Sequence, residues 1–137
     1  MNSGDPRSKK ILIIDDEASL CVVLMEVMSA HGFRVEQALD WNQAKAKIAA
    51  EKPDLIILDF LLPGADGMDM IRQLQVESLR HIPVIAISGR YGDPKFVHTI
   101  KQEPNVKDFF KKPIGYVDLA QRIHSLLGTQ SPRKPAA

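Results

Sequence analysis

Cysteine is nearly absent from this chain. Cys21 is the single thiol among 137 residues, which excludes an internal disulfide framework and any four-cysteine zinc site. Such a chain is expected in a reducing compartment, with the cytoplasm as the expected location. Excess charge of either sign is missing as well. Eighteen Lys and Arg stand against 17 Asp and Glu, a formal charge of +1, so no large field draws the molecule to nucleic acid or to an anionic membrane. No apolar run approaches the roughly 18 residues of a membrane span, and the opening "MNSGDPRSKK" lacks the apolar stretch of a signal peptide. The reading is a soluble protein without a membrane partner. There is no internal repeat and no low-complexity tract. No glycine-rich loop follows the first apolar run, which argues against a nucleotide-binding α/β domain.

What is present is an alternation of two patterns. Ile11 to Ile14, Leu55 to Leu58 and Val84 to Ile87 are continuously apolar and rich in Ile, as strands covered on both faces tend to be. Between them lie segments with helical spacing. In the clearest, Leu20, Val23, Leu24, Val27 and Met28 share one face and the pattern stops at Gly32. Residues 33 to 39 alternate like an outer strand, and 42 to 51 look helical up to Pro53. Residues 67 to 77, 94 to 102 and 115 to 127 add three helical patterns, and 106 to 110 a short strand. The order is β-α five times over, which implies one α/β domain: a doubly wound parallel sheet of five strands with helices on both faces. Residues 1–8 read as a polar extension, 9–128 as the domain, and 129–137, rich in Pro and small residues, as a flexible tail or truncated linker.

In such sheets the site lies beyond the carboxyl ends of the strands. Asp15 and Asp16 follow the first strand, Asp59 the third, Ser88 the fourth, and Lys112 with Pro113 the fifth. If the first, third, fourth and fifth strands are neighbours, these side chains converge. Two unit charges about 4 Å apart repel by roughly 4 kcal/mol at an effective dielectric of 20, so three clustered carboxylates call for a cation or protons. Oxygen-only ligands suit Mg²⁺, with Mn²⁺ as the alternative, and Mg²⁺ readily shares its shell with phosphate oxygens. Asp59 can then serve as a carboxylate nucleophile, with Ser88 and Lys112 binding the oxygens on which charge develops. Taken singly, each residue is ordinary: an Asp after a strand is usually a turn or cap residue, as Asp16 could be for the first helix. The joint pattern is what carries the chemistry.

"IDDE" (14–17), "LDFLLPGADG" (58–67) with Pro63 and Gly67, "AISG" (86–89) and "FFKKPI" (109–114) together resemble the receiver domain of two-component response regulators, over about residues 9 to 128. The resemblance implies the flavodoxin-like strand order 2-1-3-4-5 and a cis peptide between Lys112 and Pro113. It implies Asp59 as phosphoacceptor, and Mg²⁺ held by Asp16, Asp59 and the Leu61 main-chain carbonyl, with Asp15 acting through a water. Ser88 and Lys112 would hold the phosphoryl group, and Ser88 and Phe109 would form the switch. The implied partners are a sensor histidine kinase or histidine phosphotransfer protein and a downstream protein target, with no direct nucleic acid contact, the chain being a monomer or a phosphorylation-dependent dimer. Such a chain is a signalling protein that catalyses only its own phosphotransfer and autodephosphorylation. One departure is the segment "QEPNVKDFF" (102–110) before the fifth strand, which replaces the small-residue turn common in the family.

Two other function classes fit the same fold. An aspartyl phosphatase needs an acid two residues after its nucleophile, and position 61 is Leu. A phosphorylation-independent interaction module would have no use for the complete set of strand-end residues. Cys21, Val22 and Met25 fall at the flank and back of the first helix and are expected to be at least partly exposed, as an apolar docking surface or as packing against a neighbour. His31, His81, His98 and His124 read as surface or helix-end residues and Trp41 as a packing residue. Cys21 itself reads as a small apolar residue and not a reactive thiol.

Overall fold

The computed structural model describes residues 4–89 and 94–131. Residues 1–3 of the expected extension and 132–137 of the expected tail lie outside the described residues. A 3-10 turn at Pro6–Ser8 precedes β1 (Lys10–Ile14), α1 (Ala18–Ala30), β2 (Arg34–Ala38), α2 (Trp41–Ala50), β3 (Leu55–Asp59), α3 (Gly67–Gln73), β4 (Val84–Ser88), α4 (Pro94–Lys101), β5 (Val106–Lys111) and α5 (Tyr116–Leu127). The strands form one parallel sheet in the order β2-β1-β3-β4-β5. The expected order and all five β-α units are present. Among the described residues no helix is long and apolar enough to cross a membrane.

The period of two along the central strands divides the core. Leu12, Ile14, Ile56, Leu58, Val84 and Ala86 face one way, where Ala44 and Ile48 of α2, Met70 and Ile71 of α3 and Ile100 of α4 cover them. Ile11, Ile13, Leu55, Ile57, Ile85 and Ile87 face the other, against Cys21, Leu24 and Met28 of α1 and Leu119, Ala120 and Ile123 of α5. Burial of both faces explains why these strands are unbroken apolar runs, each fully buried Ile or Leu contributing about 1.5–3 kcal/mol.

The packing face of α1 differs from the expected one. Cys21 is completely buried with Leu24 and Met28, whereas Val23, expected on that face, is exposed. The buried stripe is therefore turned by roughly 60° at 100° per residue. The cause is the small thiol, which lets the first turn of α1 come close to the end of β1 and places Cys21 Sγ 3.4 Å from the Asp15 carbonyl oxygen. Cys21 cannot belong to an exposed docking surface. Val22 is exposed as expected, and Met25 is half-buried against the core. The thiol's pKa is pushed up to about 11 by burial first and by the nearby Asp15 charge second, which fits an unreactive packing residue.

The unusual segment before β5 is stitched in place. Between Val84 and Ile85 the register of β4 against β5 shifts, so that Val84 pairs with Val106 and Ile85 with Asp108. Buried Asn105 donates to the Ile71 carbonyl (3.0 Å) and accepts from Gln75 (3.0 Å), while its own carbonyl receives the Val84 N–H. α3 ends at Gln73, short of the expected 77; beyond it the hydrogen bonds tighten to the Leu74–Ile71 and Gln75–Arg72 spacing, and the Gln75 side chain donates to Glu103 and Asn105.

Gly67 opens α3 against the chain leaving β3. A Cβ there would fall on the Phe60 carbonyl oxygen and lie 2.5 Å from its ring Cδ2. Gly67→Ala is expected to cost about 1–3 kcal/mol through overpacking, read as a lower urea midpoint at unchanged slope. An unchanged midpoint would show that the loop can yield there.

Candidate functional site

Parallel pairing of β1, β3, β4 and β5 brings their carboxyl ends to one edge. Ile14 is in register with Leu58, Asp59 with Ile87, and Ser88 with Lys111, so the residues that follow emerge side by side. Asp15 is fully buried. Its amide is tied to the Ala38 carbonyl, and its Oδ1 accepts the Glu17 N–H at 2.9 Å. This turn lies at the head of α1, where Glu17 is the cap residue without a side-chain cap bond; Asp15, not Asp16, ties down this turn. Asp16 is exposed. Asp59 is 5% exposed, and its Oδ1 accepts the Leu61 N–H at 3.0 Å.

Carboxylate oxygens of Asp15, Asp16 and Asp59 lie within 4.8 Å of one another. Among them stands Lys112. Its Nζ is 2.8 Å from Asp15 Oδ2, 3.5 Å from Asp59 Oδ2 and 3.7 Å from Glu17 Oε1. This buried oxygen of Asp15 is paired with the Lys112 charge and has no other polar partner. The Lys112 amide donates to the Ser88 carbonyl at 2.9 Å, and Ser88 is fully buried at the end of β4. The Lys112–Pro113 peptide is cis, as the resemblance implies.

The Asp59 carboxyl is held above the usual carboxylate range. Burial is the larger cause, with the Asp15 charge adding to it against the opposing Leu61 N–H and Lys112 ammonium. The pKa of Lys112 is raised: burial opposes its charge, but Asp15, Asp59 and Glu17 outweigh that. The donor set fits a hard divalent cation. It is all oxygen, three carboxylates share one small volume, and one buried carboxylate oxygen has no hydrogen-bond partner.

The side chains of Asp15, Asp16, Asp59 and Lys112 are therefore in one place, with Ser88 at the adjoining strand end. Leu61 lies in the loop beyond Asp59 with its side chain exposed. Phe109 is half-buried and packs against the core on the α2-α3-α4 side of the sheet. Glu17, which closes the acidic triplet in the sequence, faces Lys112, and its adjacency to Asp15 and Asp16 was the signal for it. Tyr116 carried no such signal. With Glu17, Leu20, Lys112, Pro113 and Ile114 it lines a depression of about 330 Å³ beside the site.

Residues 11–124 match the response regulator receiver domain family, and the chain belongs to it: it is a receiver domain of a response regulator in two-component signalling. It is 32% identical over 120 residues to the alkaline phosphatase synthesis transcriptional regulatory protein PhoP of Bacillus subtilis, covering 88% of this chain and 49% of that protein. It is 32% identical over 126 residues to the phosphate regulon transcriptional regulatory protein PhoB of Escherichia coli, covering 91% and 54%. The chain thus spans about half the length of these curated relatives. Among solved structures it is similar to the signal receiver domain of a signal transduction histidine kinase from Syntrophus aciditrophicus (TM-score 0.77, 31% identity, 88% of this chain and 90% of that one). The signal receiver domain of a DNA binding response regulator from Colwellia psychrerythraea shares the fold (TM-score 0.79, 23% identity, 88% and 98%).

A raised carboxyl pKa means that the folded state holds the Asp59 proton to higher pH than the unfolded chain does, so stability falls as pH rises through that interval. In metal-free buffer at pH 7, Asp59→Asn is expected to raise Tm, and the gain should shrink as the pH falls through the raised native pKa toward the ordinary carboxylate value and the native carboxyl protonates. A Tm equal to or below that of the parent protein at pH 7 would contradict the electrostatic account.

Proposed function

We propose that this domain takes a phosphoryl group from a phosphohistidine of a sensor histidine kinase or histidine phosphotransfer protein onto Asp59. The observation that carries the reading is the Asp15, Asp16 and Asp59 cluster with the Lys112 ammonium between two of its members. An Asp59 carboxylate oxygen attacks phosphorus, the P–N bond to imidazole breaks, and an aspartyl-phosphate remains. Lys112 meets the negative charge of the phosphoryl oxygens, and Ser88 would offer its hydroxyl to them from the next strand. Asp15, Asp16, Asp59 and the Leu61 carbonyl would hold Mg²⁺, or Mn²⁺. When bound, this cation neutralises the carboxylates and the incoming phosphoryl oxygens. The domain acts on no other substrate and loses its own phosphoryl group by hydrolysis. Motion of Ser88 and Phe109 would carry the state of the site to a partner-facing surface, with the cytoplasm as the setting.

An aspartyl phosphatase is disfavoured because Leu61 offers no acid for a leaving group. Acetyl phosphate with Mg²⁺ should add one phosphate to the intact mass, and Asp59→Asn should abolish it. Equal labelling of that variant would overturn the assignment.

The donor's surface includes Val22 on this reading, exposed on α1, the helix that opens directly after the acidic pair. Val22→Glu is expected to leave Tm and acetyl phosphate labelling intact while slowing transfer from the cognate donor about tenfold, or ~1.4 kcal/mol. Unchanged transfer in a stable variant would remove α1 from the interface.

A further inference from the structure

Two histidines distant in sequence meet at the end of the molecule opposite the acidic cluster. His31 closes α1 as its C-cap, and His124 lies in the last turn of α5. His31 Nδ1 is 3.1 Å from His124 Nε2. Gly128, in the left-handed conformation (φ 67°), reverses the chain after α5 and brings Ser131 back, with its Oγ 2.8 Å from His31 Nδ1 and 3.3 Å from His124 Nε2. Two imidazole nitrogens and a hydroxyl oxygen thus form a nearly equilateral triangle. Donors held about 2.0–2.2 Å from one ion, at angles between octahedral and tetrahedral, are separated by about 2.9–3.4 Å.

Three further features favour an ion over a plain hydrogen-bond cluster. The far nitrogen of His124, Nδ1, is 2.7 Å from Oγ1 of buried Thr129, the kind of outer partner that orients a metal-bound imidazole. Phe33 packs its ring 4.8 Å from that of His124 and fixes its plane. Both histidines sit at helix C-termini, where the helix dipole favours a cation.

We propose that His31, His124 and Ser131 form a binding site for a divalent transition metal ion, Zn²⁺ foremost, and that the bound ion fastens the segment following α5 to the end of α1. Water completes the shell. Imidazole donors select Zn²⁺, Ni²⁺ or Cu²⁺ and not the Mg²⁺ suited to the carboxylate cluster, so the two sites differ in ligand chemistry as well as position. On binding, each ring turns a bare nitrogen to the ion and carries its one hydrogen on the other nitrogen, so neutral rings release no net proton.

Zn²⁺ titrated into the whole chain in excess Mg²⁺, which occupies the carboxylates, tests this by calorimetry and imidazole NMR. One ion is expected to bind, shifting the His31 and His124 ring resonances and the amides of 129–131. His31→Gln and His124→Gln should each weaken binding roughly tenfold or more, and His98→Gln on α4 should not. Parent-like affinity in both His31→Gln and His124→Gln, an equal loss in His98→Gln, or shifts confined to Asp15, Asp16 and Asp59 would overturn the proposal. Should His124→Gln unfold, His31→Gln at the rim still decides.

Discussion

The structure depends most on the Lys112 ammonium standing between Asp15 and Asp59. Two carboxylates at the ends of paired strands, one fully buried, would otherwise force protonation or push the strand ends apart. The charge that relieves them arrives from the far side of the sheet, beyond β3 and β4. That reach is possible because the Lys112 amide is fastened to the Ser88 carbonyl. The placement of β5 against β4 is therefore a condition of the site. The register shift at Val84/Ile85 and the Asn105 bonds to Gln75 and Ile71 serve that placement, although they lie at the other end of the strand.

The same dependence suits the domain to switching. Lys112 has three carboxylates within 3.7 Å, so on the proposed function a phosphoryl group on Asp59 would change what it faces. Ser88 ends β4 and Lys112 directly follows β5, and one backbone hydrogen bond joins the two residues. Phe109 lies three residues before Lys112 in the same chain and is only half-buried. A displacement at the strand ends has a short path to the surface of β5. The histidine pair stands at the opposite edge, since α1 and α5 both run back from the site, and there the chain leaves the domain.

Most of the fold was legible because it is local. Strands buried on both faces must be apolar at every position, and the helices between them carry a different period. The acids stood out only together with Ser88 and Lys112, because one by one they are ordinary turn or cap residues and only their joint place at the carboxyl ends of the strands points to one site. The first turn of α1 was not legible. An averaged helical face put Val23 inward and Cys21 outward, whereas close approach of the helix to the end of β1 made the small thiol the better neighbour. The His31 and His124 pair escaped for a related reason, since 93 residues separate them and each alone is an ordinary helix-end histidine.

The sequence by itself determined the β-α alternation, the two-faced burial of the central strands and the identity of every charged group at their carboxyl ends, because these follow from period, polarity and chain order. Tertiary structure alone decided which strands are neighbours, and with that the distances that turn Asp15, Asp59, Ser88 and Lys112 into one site. It also decided the rotation of α1 about its axis, the fate of Cys21 and the meeting of the two histidines. Those are matters of three-dimensional closeness, which depends on the shapes of all the packed side chains together and has no counterpart in the linear pattern.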